Sequence, residues 1–154
     1  MSQAHLIGLD WGTTSCRAYL IGAEGLALAC VSDGPGILKI ENGAFGSALD
    51  AMIGRWDAGL PVILSGMIGS RQGWVEAPYA HCPAATDSIV AALTRIGNGS
   101  RMIALVPGLS CENGGMPDVM RGEETQILGA LERAKRSTGA LARRDFRDEH
   151  EELR

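Results

Sequence analysis

Residues 5 to 21 read His5-Leu6-Ile7-Gly8-Leu9-Asp10-Trp11-Gly12-Thr13-Thr14-Ser15-Cys16-Arg17-Ala18-Tyr19-Leu20-Ile21. Two apolar runs, His5 to Asp10 and Ser15 to Ile21, flank the tight segment Trp11-Gly12-Thr13-Thr14, which reads as strand, turn, strand. Gly22-Ala23-Glu24-Gly25 is a second turn signal and Leu26 to Ser32 a third strand candidate, so the first 32 residues form an antiparallel meander. Asp33-Gly34-Pro35-Gly36 closes it.

Beyond the meander the period changes. Phe45, Leu49, Met52, Ile53 and Trp56 follow the spacing of a helix with one buried face, ended by Gly59 and Pro61. Pro61 to Ser65 is a wholly apolar strand that runs into Gly66-Met67-Ile68-Gly69-Ser70-Arg71-Gln72-Gly73, a ligand position in α/β folds. A helix is expected over Asp87 to Ile96, with Ile89, Val90, Leu93 and Ile96 inward and Thr86 as N-cap. Met102 to Val106 is a fifth strand, Pro107 to Pro117 a loop, and Glu123 to Lys135 a helix with Ile127, Leu128 and Leu131 on one face. No internal repeat is seen.

Composition bounds the function. The 154 residues suffice for one compact domain, and 21 of them are glycine, about twice the usual share. A net charge of −4 supplies no basic footprint, so nucleic acid is not an expected partner. No apolar stretch reaches the roughly 18 residues of a membrane span, and the N-terminus has no signal-peptide pattern. Cys16, Cys30, Cys82 and Cys111 form no C-x-x-C pair, and His5, His81 and His150 have no metal spacing, which points to reduced thiols in a cytoplasmic protein. Charge concentrates at the end: 13 of the 23 residues from Glu132 to Arg154 are charged, so a lobe is expected over 1–131 and a distinct charged tail over 132–154.

Three segments carry candidate chemistry. In the first turn, Gly12 lets the backbone approach an anion, Thr13, Thr14 and Ser15 add hydroxyl donors, and Asp10 at the strand end suits a magnesium ion held through water. The same residues also suit an ordinary hairpin in which Asp and Thr satisfy turn amides. In the loop from Gly69 to Tyr79, Arg71 offers a planar fork for a carboxylate, Gln72 a donor and an acceptor, and Trp74 and Tyr79 flat walls for a small polar ligand. The alternative is that the aromatics anchor the loop on the core and Arg71 lies in solvent. Arg121-Gly122-Glu123-Glu124 starts a helix; Glu123 or Glu124 either stabilises the helix dipole or accepts a hydroxyl proton during phosphoryl transfer, with Arg121 balancing charge.

The order β-β-β-α-β-α-β-α matches an α/β fold of the ribonuclease-H-like (actin-like ATPase) type, three antiparallel strands then alternating helices and strands. Ile7 to Ser15, Ser65 to Trp74, Glu76-Ala77-Pro78-Tyr79 and Met120-Arg121-Gly122-Glu123-Glu124-Thr125-Gln126 resemble the 2-dehydro-3-deoxygalactonokinase family of actin-like sugar kinases. That resemblance implies ATP and Mg2+ as cofactors and phosphorylation of the 6-hydroxyl of 2-dehydro-3-deoxy-D-galactonate in galactonate breakdown. It places the phosphates on Asp10 to Ser15 and the sugar acid on Arg71 to Tyr79. It covers about residues 4 to 131, whereas family members continue for about as long again with a second lobe. The expectation is an N-terminal portion of the kinase, altered after Leu131 and inactive alone. A non-catalytic ligand-binding lobe and a ribonuclease-H-like metal-dependent nuclease are the alternatives; self-association as a homo-oligomer stays open.

Overall fold

A computed structural model describes the backbone of residues 3–151, and the side chains within that range except Asn98 and residues 138–151. Strands β1 (Ala4–Trp11), β2 (Ser15–Gly22) and β3 (Ala27–Pro35) form the antiparallel meander, with Leu9 opposite Ala18 and Trp11 opposite Cys16. Helix α1 (Phe45–Ile53) leads to β4 (Val62–Ser65), which pairs parallel to β1. Then come β5 (Tyr79–His81), α2 (Thr86–Ala91), β6 (Thr94–Asn98), β7 (Arg101–Leu105), β8 (Gly108–Asn113), β9 (Met116–Met120) and α3 (Glu123–Glu151). The strands make a mixed six-stranded sheet, order β3-β2-β1-β4-β7-β6, and a small sheet, order β5-β8-β9.

Side-chain alternation decides which face of the large sheet is core. Ile7, Leu9 and Trp11 of β1 share a face with Cys16 and Ala18 of β2, Val62 and Leu64 of β4, and Ile103 and Leu105 of β7, and all are buried. Phe45, Leu49, Met52 and Ile53 of α1 belong to the same cluster, as their helical spacing predicts. Full burial of one such side chain contributes about 1.5–3 kcal/mol. Trp56 lies beyond the helix, its amide bonded to the Ile53 carbonyl, and packs half-buried on this core.

The middle region of the chain departs from the sequence expectation. The expected helix over Asp87 to Ile96 stops at Ala91, and Thr94–Asn98 is a strand. β-branched Thr94 and Ile96 alternate, and the turn at Gly99 (φ 60°) folds them into a hairpin with β7, so Ile96 reaches the core by facing Ile103. Val90 is exposed rather than inward, and Thr86 is the first helical residue, with Ala85 at the cap and no side-chain cap bond. The expected loop from Pro107 to Pro117 is the β8-β9 hairpin, turned by Gly114 and Gly115, both at positive φ. The last helix continues past Lys135 to Glu151, and Lys135 pairs with Glu132 at 3.1 Å. On its expected apolar face, Ile127 and Leu131 stay exposed and Leu128 is half-buried. Within the charged segment, residues 152–154 lie outside the described residues.

Candidate functional site

The carboxyl ends of β1 and β4 and the start of α3 meet at two glycines. Gly66, just after β4, has φ +97°, and a Cβ there would stand 2.8 Å from the Trp11 carbonyl oxygen and 3.4 Å from Asp10 Oδ1. Gly122 has φ +113°, and its Cβ would stand 3.1 Å from the Gly66 Cα. Both positions therefore need glycine for backbone conformation and for close approach. Their contact seats the first turn of α3 beside Asp10.

Glu124 is the principal polar group buried at this junction. It is 1% exposed, and its Oε2 accepts a 2.6 Å hydrogen bond from the Gly122 amide while Oε1 is buried without a partner. Burial pushes its carboxyl above the usual glutamate range, opposed by backbone hydrogen bonds and the Arg121 charge. Glu123 is exposed and accepts from the Arg121 amide at 3.1 Å. Arg121 turns toward the preceding loop: Nη2 donates to the Ala77 carbonyl at 2.8 Å, and the guanidinium sits 4.3 Å from the Tyr79 ring centroid, leaving Nε and Nη1 buried and unpartnered. Arg121 and Tyr79, assigned to different roles from sequence, are thus in contact.

The Gly12-Ser15 turn is tight and braced from behind. The Gly12 amide donates to the Ser15 carbonyl at 2.9 Å, which removes that amide from the donors expected for an anion. The Ile37 and Leu38 amides donate to the Gly12 and Thr13 carbonyls, and Gly36 presses on this turn. Thr14 and Ser15 are exposed and Thr13 half-exposed. Trp11 Nε1 donates to the Pro35 carbonyl at 2.9 Å, locking the turn to β3.

In the long loop, Trp74 is stacked on Phe45 (centroids 6.3 Å, 18° between planes), and Phe45 meets Trp11 edge-on at 6.0 Å. Trp74 is therefore an anchor on the core. Arg71 is at the surface, 3.8 Å from Glu76, and Gln72 is exposed. Tyr79 stays 40% exposed beneath Arg121.

A groove of about 560 Å³ lies on the sheet face opposite α1. Leu6, Gly8 and Asp10 line it with their register partners Ile21, Tyr19 and Arg17 on β2 and with Ile63 and Ser65 on β4, and Thr125 and Gln126 of α3 close one end. Asp10 thus has Arg17 across one strand and Ser65 across the other. Its charge also helps burial push the Cys16 thiol up to about 12, although burial is the larger cause. Among the described residues no group of three or more His, Cys, Asp or Glu could hold a metal ion. Sequence reasoning missed Arg17, Ser65 and Thr125; the period-2 alternation from Asp10 across both neighbouring strands was the signal that could have found Arg17 and Ser65, whereas Thr125 comes from the start of α3.

The model of the 2-keto-3-deoxy-galactonokinase family matches residues 10–143. The chain belongs to that family. A Rhizobium meliloti (strain 1021) protein named for 2-dehydro-3-deoxygalactonokinase is 43% identical over 131 residues, 84% of this chain and 43% of its own length. The Escherichia coli (strain K12) 2-dehydro-3-deoxygalactonokinase is 35% identical over 128 residues, 82% of this chain and 42% of its own. A crystal structure of a Sinorhizobium meliloti protein described by the same activity superposes with a TM-score of 0.76 at 40% identity, covering 84% of this chain and 44% of that one. The chain therefore spans less than half the length of the relatives it matches.

Proposed function

We propose that these residues are the sugar-acid lobe of a kinase that moves the γ-phosphoryl group of ATP to the 6-hydroxyl of 2-dehydro-3-deoxy-D-galactonate, the transfer itself belonging to a protein of its relatives' length. The observation that carries this reading is the junction of Asp10, Gly66, Gly122 and Glu124. It puts one carboxylate at a strand end beside the tight Gly12–Ser15 turn, and a second, buried one at a helix start. The strand order β3-β2-β1-β4-β7, with only β1-β4 and β4-β7 parallel, supports a ribonuclease-H-like lobe over 1–131; the charged extension over 132–154 continues from it along helix α3.

In this reading the exposed Thr14 and Ser15 and the half-exposed Thr13 present their hydroxyls to phosphate oxygens. Asp10 and the Ser65 hydroxyl offer only hard oxygen ligands, which fits Mg2+, an ion that keeps several waters and needs few protein carboxylates. When bound, that ion would neutralise phosphate charge. Glu124 is the better base of the two glutamates: its Oε1 is free, and a raised pKa places it closer to neutrality, where proton acceptance is most effective. Glu123 holds the Arg121 amide instead. Arg121 fixes the end of the Arg71–Tyr79 loop through Ala77 and Tyr79, so that Arg71 and Gln72 face a sugar acid as the exposed polar part of the loop.

Calorimetric titration of the 154-residue chain with the sugar acid and with ATP and Mg2+ tests the proposal. Heat of binding for the sugar acid that is weakened in Arg71→Ala, without phosphorylated product, is the expected result. Absence of binding to both compounds overturns it, turnover by the chain alone overturns the assignment of transfer to a longer protein, and metal-dependent nicking of DNA would favour a nuclease.

A further inference from the structure

Two of the four cysteines meet at one small cavity at the end of the β5-β8 pair. The parallel register of β5 and β8 ends at His81 opposite Ser110, a pair closed by the Cys82 amide, which donates to the Ser110 carbonyl at 2.8 Å. Cys82 and Cys111 are the next residues after that last pair, one step further along the same register. Both line one small cavity of about 50 Å³, with Asp118 and Val119 of β9 on its far side. Neighbouring strands lie about 4.8 Å apart, inside the window of about 4.4–6.8 Å between Cα atoms that a disulfide spans. Cys82 is exposed and Cys111 half-exposed, so a small oxidant reaches the pair; Cys16 is fully buried. Cys30 is also exposed but lies in β3, in the other sheet.

We propose that Cys82 and Cys111 form a peroxide-sensitive thiol pair that closes to a disulfide across β5 and β8. The Cys82 thiolate attacks one oxygen of hydrogen peroxide, the O–O bond breaks, and water leaves after taking a proton, giving a sulfenic acid. The Cys111 thiolate then attacks the Cys82 sulfur, the S–O bond breaks, and a second water departs. Two thiols and one peroxide become one disulfide and two waters, each sulfur losing one electron. The bond would tie the end of β5, the strand that carries Tyr79 beneath Arg121, to β8. The proposal does not depend on the kinase reading.

The test is peptide mapping of the folded chain after mild hydrogen peroxide and blocking of remaining thiols. Trypsin leaves Cys82 in peptide 72–95 and Cys111 in peptide 102–121, apart from the peptides holding Cys16 and Cys30. The expected result is a linked 72–95/102–121 species, lighter by two hydrogens, that dominates all other linkages and is reversed by a dithiol. It disappears in Cys82→Ser and in Cys111→Ser, persists in Cys30→Ser, and loses its dominance when oxidation is done in denaturant. Full blocking of both cysteines after peroxide, or a linked fraction no greater than that of Cys30 with either partner, overturns the proposal.

Discussion

The two faces of the large sheet are built from alternate residues of the same strands, yet they differ in almost every physical respect. Ile7, Leu9 and Trp11 point to a closed face under α1, where every large side chain has an apolar partner. Leu6, Gly8 and Asp10 point to the groove, which mixes apolar residues with a carboxylate, a guanidinium and a hydroxyl. One face is organised for stability, and the other leaves Asp10 half-exposed and Arg17 exposed beside the buried Ser65. Period-2 geometry allows one short segment to do both.

Substitutions on the two faces sharpen that contrast. Leu49→Ala, in the fully buried wall of α1, is expected to lower stability by about 2–5 kcal/mol, read as a shift in denaturant midpoint at constant slope. Ile63→Ala, on the groove side of β4, should cost less than half of that; equal losses would show that the groove face is packed as tightly as the core. At the junction, Gly122→Ala should cost about 1–3 kcal/mol, because φ +113° is foreign to alanine and its Cβ would crowd Gly66.

Glu124 gives a pH signature. Its carboxyl is raised in the folded chain, so between the usual glutamate value of 4.5 and its folded value the native state binds more protons than the unfolded state. Its contribution is then fully present below 4.5 and is lost as pH rises through the folded value. Glu124→Gln keeps an acceptor for the Gly122 amide and should flatten that decline, leaving the variant closest to the parent chain at low pH and relatively more stable near neutrality. An unchanged pH profile would mean that Glu124 is not the titrating group. The smallest effect on stability belongs to Arg71→Ala, within about 1 kcal/mol, since its pair with Glu76 is long and exposed. The same variant should weaken sugar-acid binding by roughly ten- to a hundredfold, the worth of a charge-assisted hydrogen bond to a carboxylate.

The meander, α1, β4 and β7 were legible because their hydrophobic periods are clean and their turns carry glycine. β6 was lost because Ile89, Leu93 and Ile96 also fit a helical spacing, and tertiary pairing with β7 settled what local pattern left ambiguous. The β8-β9 hairpin was missed although Asn113-Gly114-Gly115 is a strong turn signal; Pro117 and sparse apolar residues made the segment read as a loop. The Asp10 turn and the Glu123-Glu124 helix start were visible as residue types at structural boundaries. The distinction between a buried Glu124 and an exposed Glu123 was not, because it depends on Gly66 and Gly122 meeting across more than 50 residues of sequence. The packing of Trp74 on the core likewise depends on a distant partner, Phe45.

Where ligands touch the chain decides whether the junction of β1, β4 and α3 is a binding site. An amide-resolved NMR titration of the 154-residue chain with the sugar acid and with ATP and Mg2+ should move resonances of Asp10 to Ser15, Ser65, Gly66, Arg71, Gln72 and Arg121 to Glu124, while those of Leu49 and its neighbours in α1 stay in place. Shifts confined to α1 or to the β8-β9 hairpin, or none at saturating ligand, would contradict it.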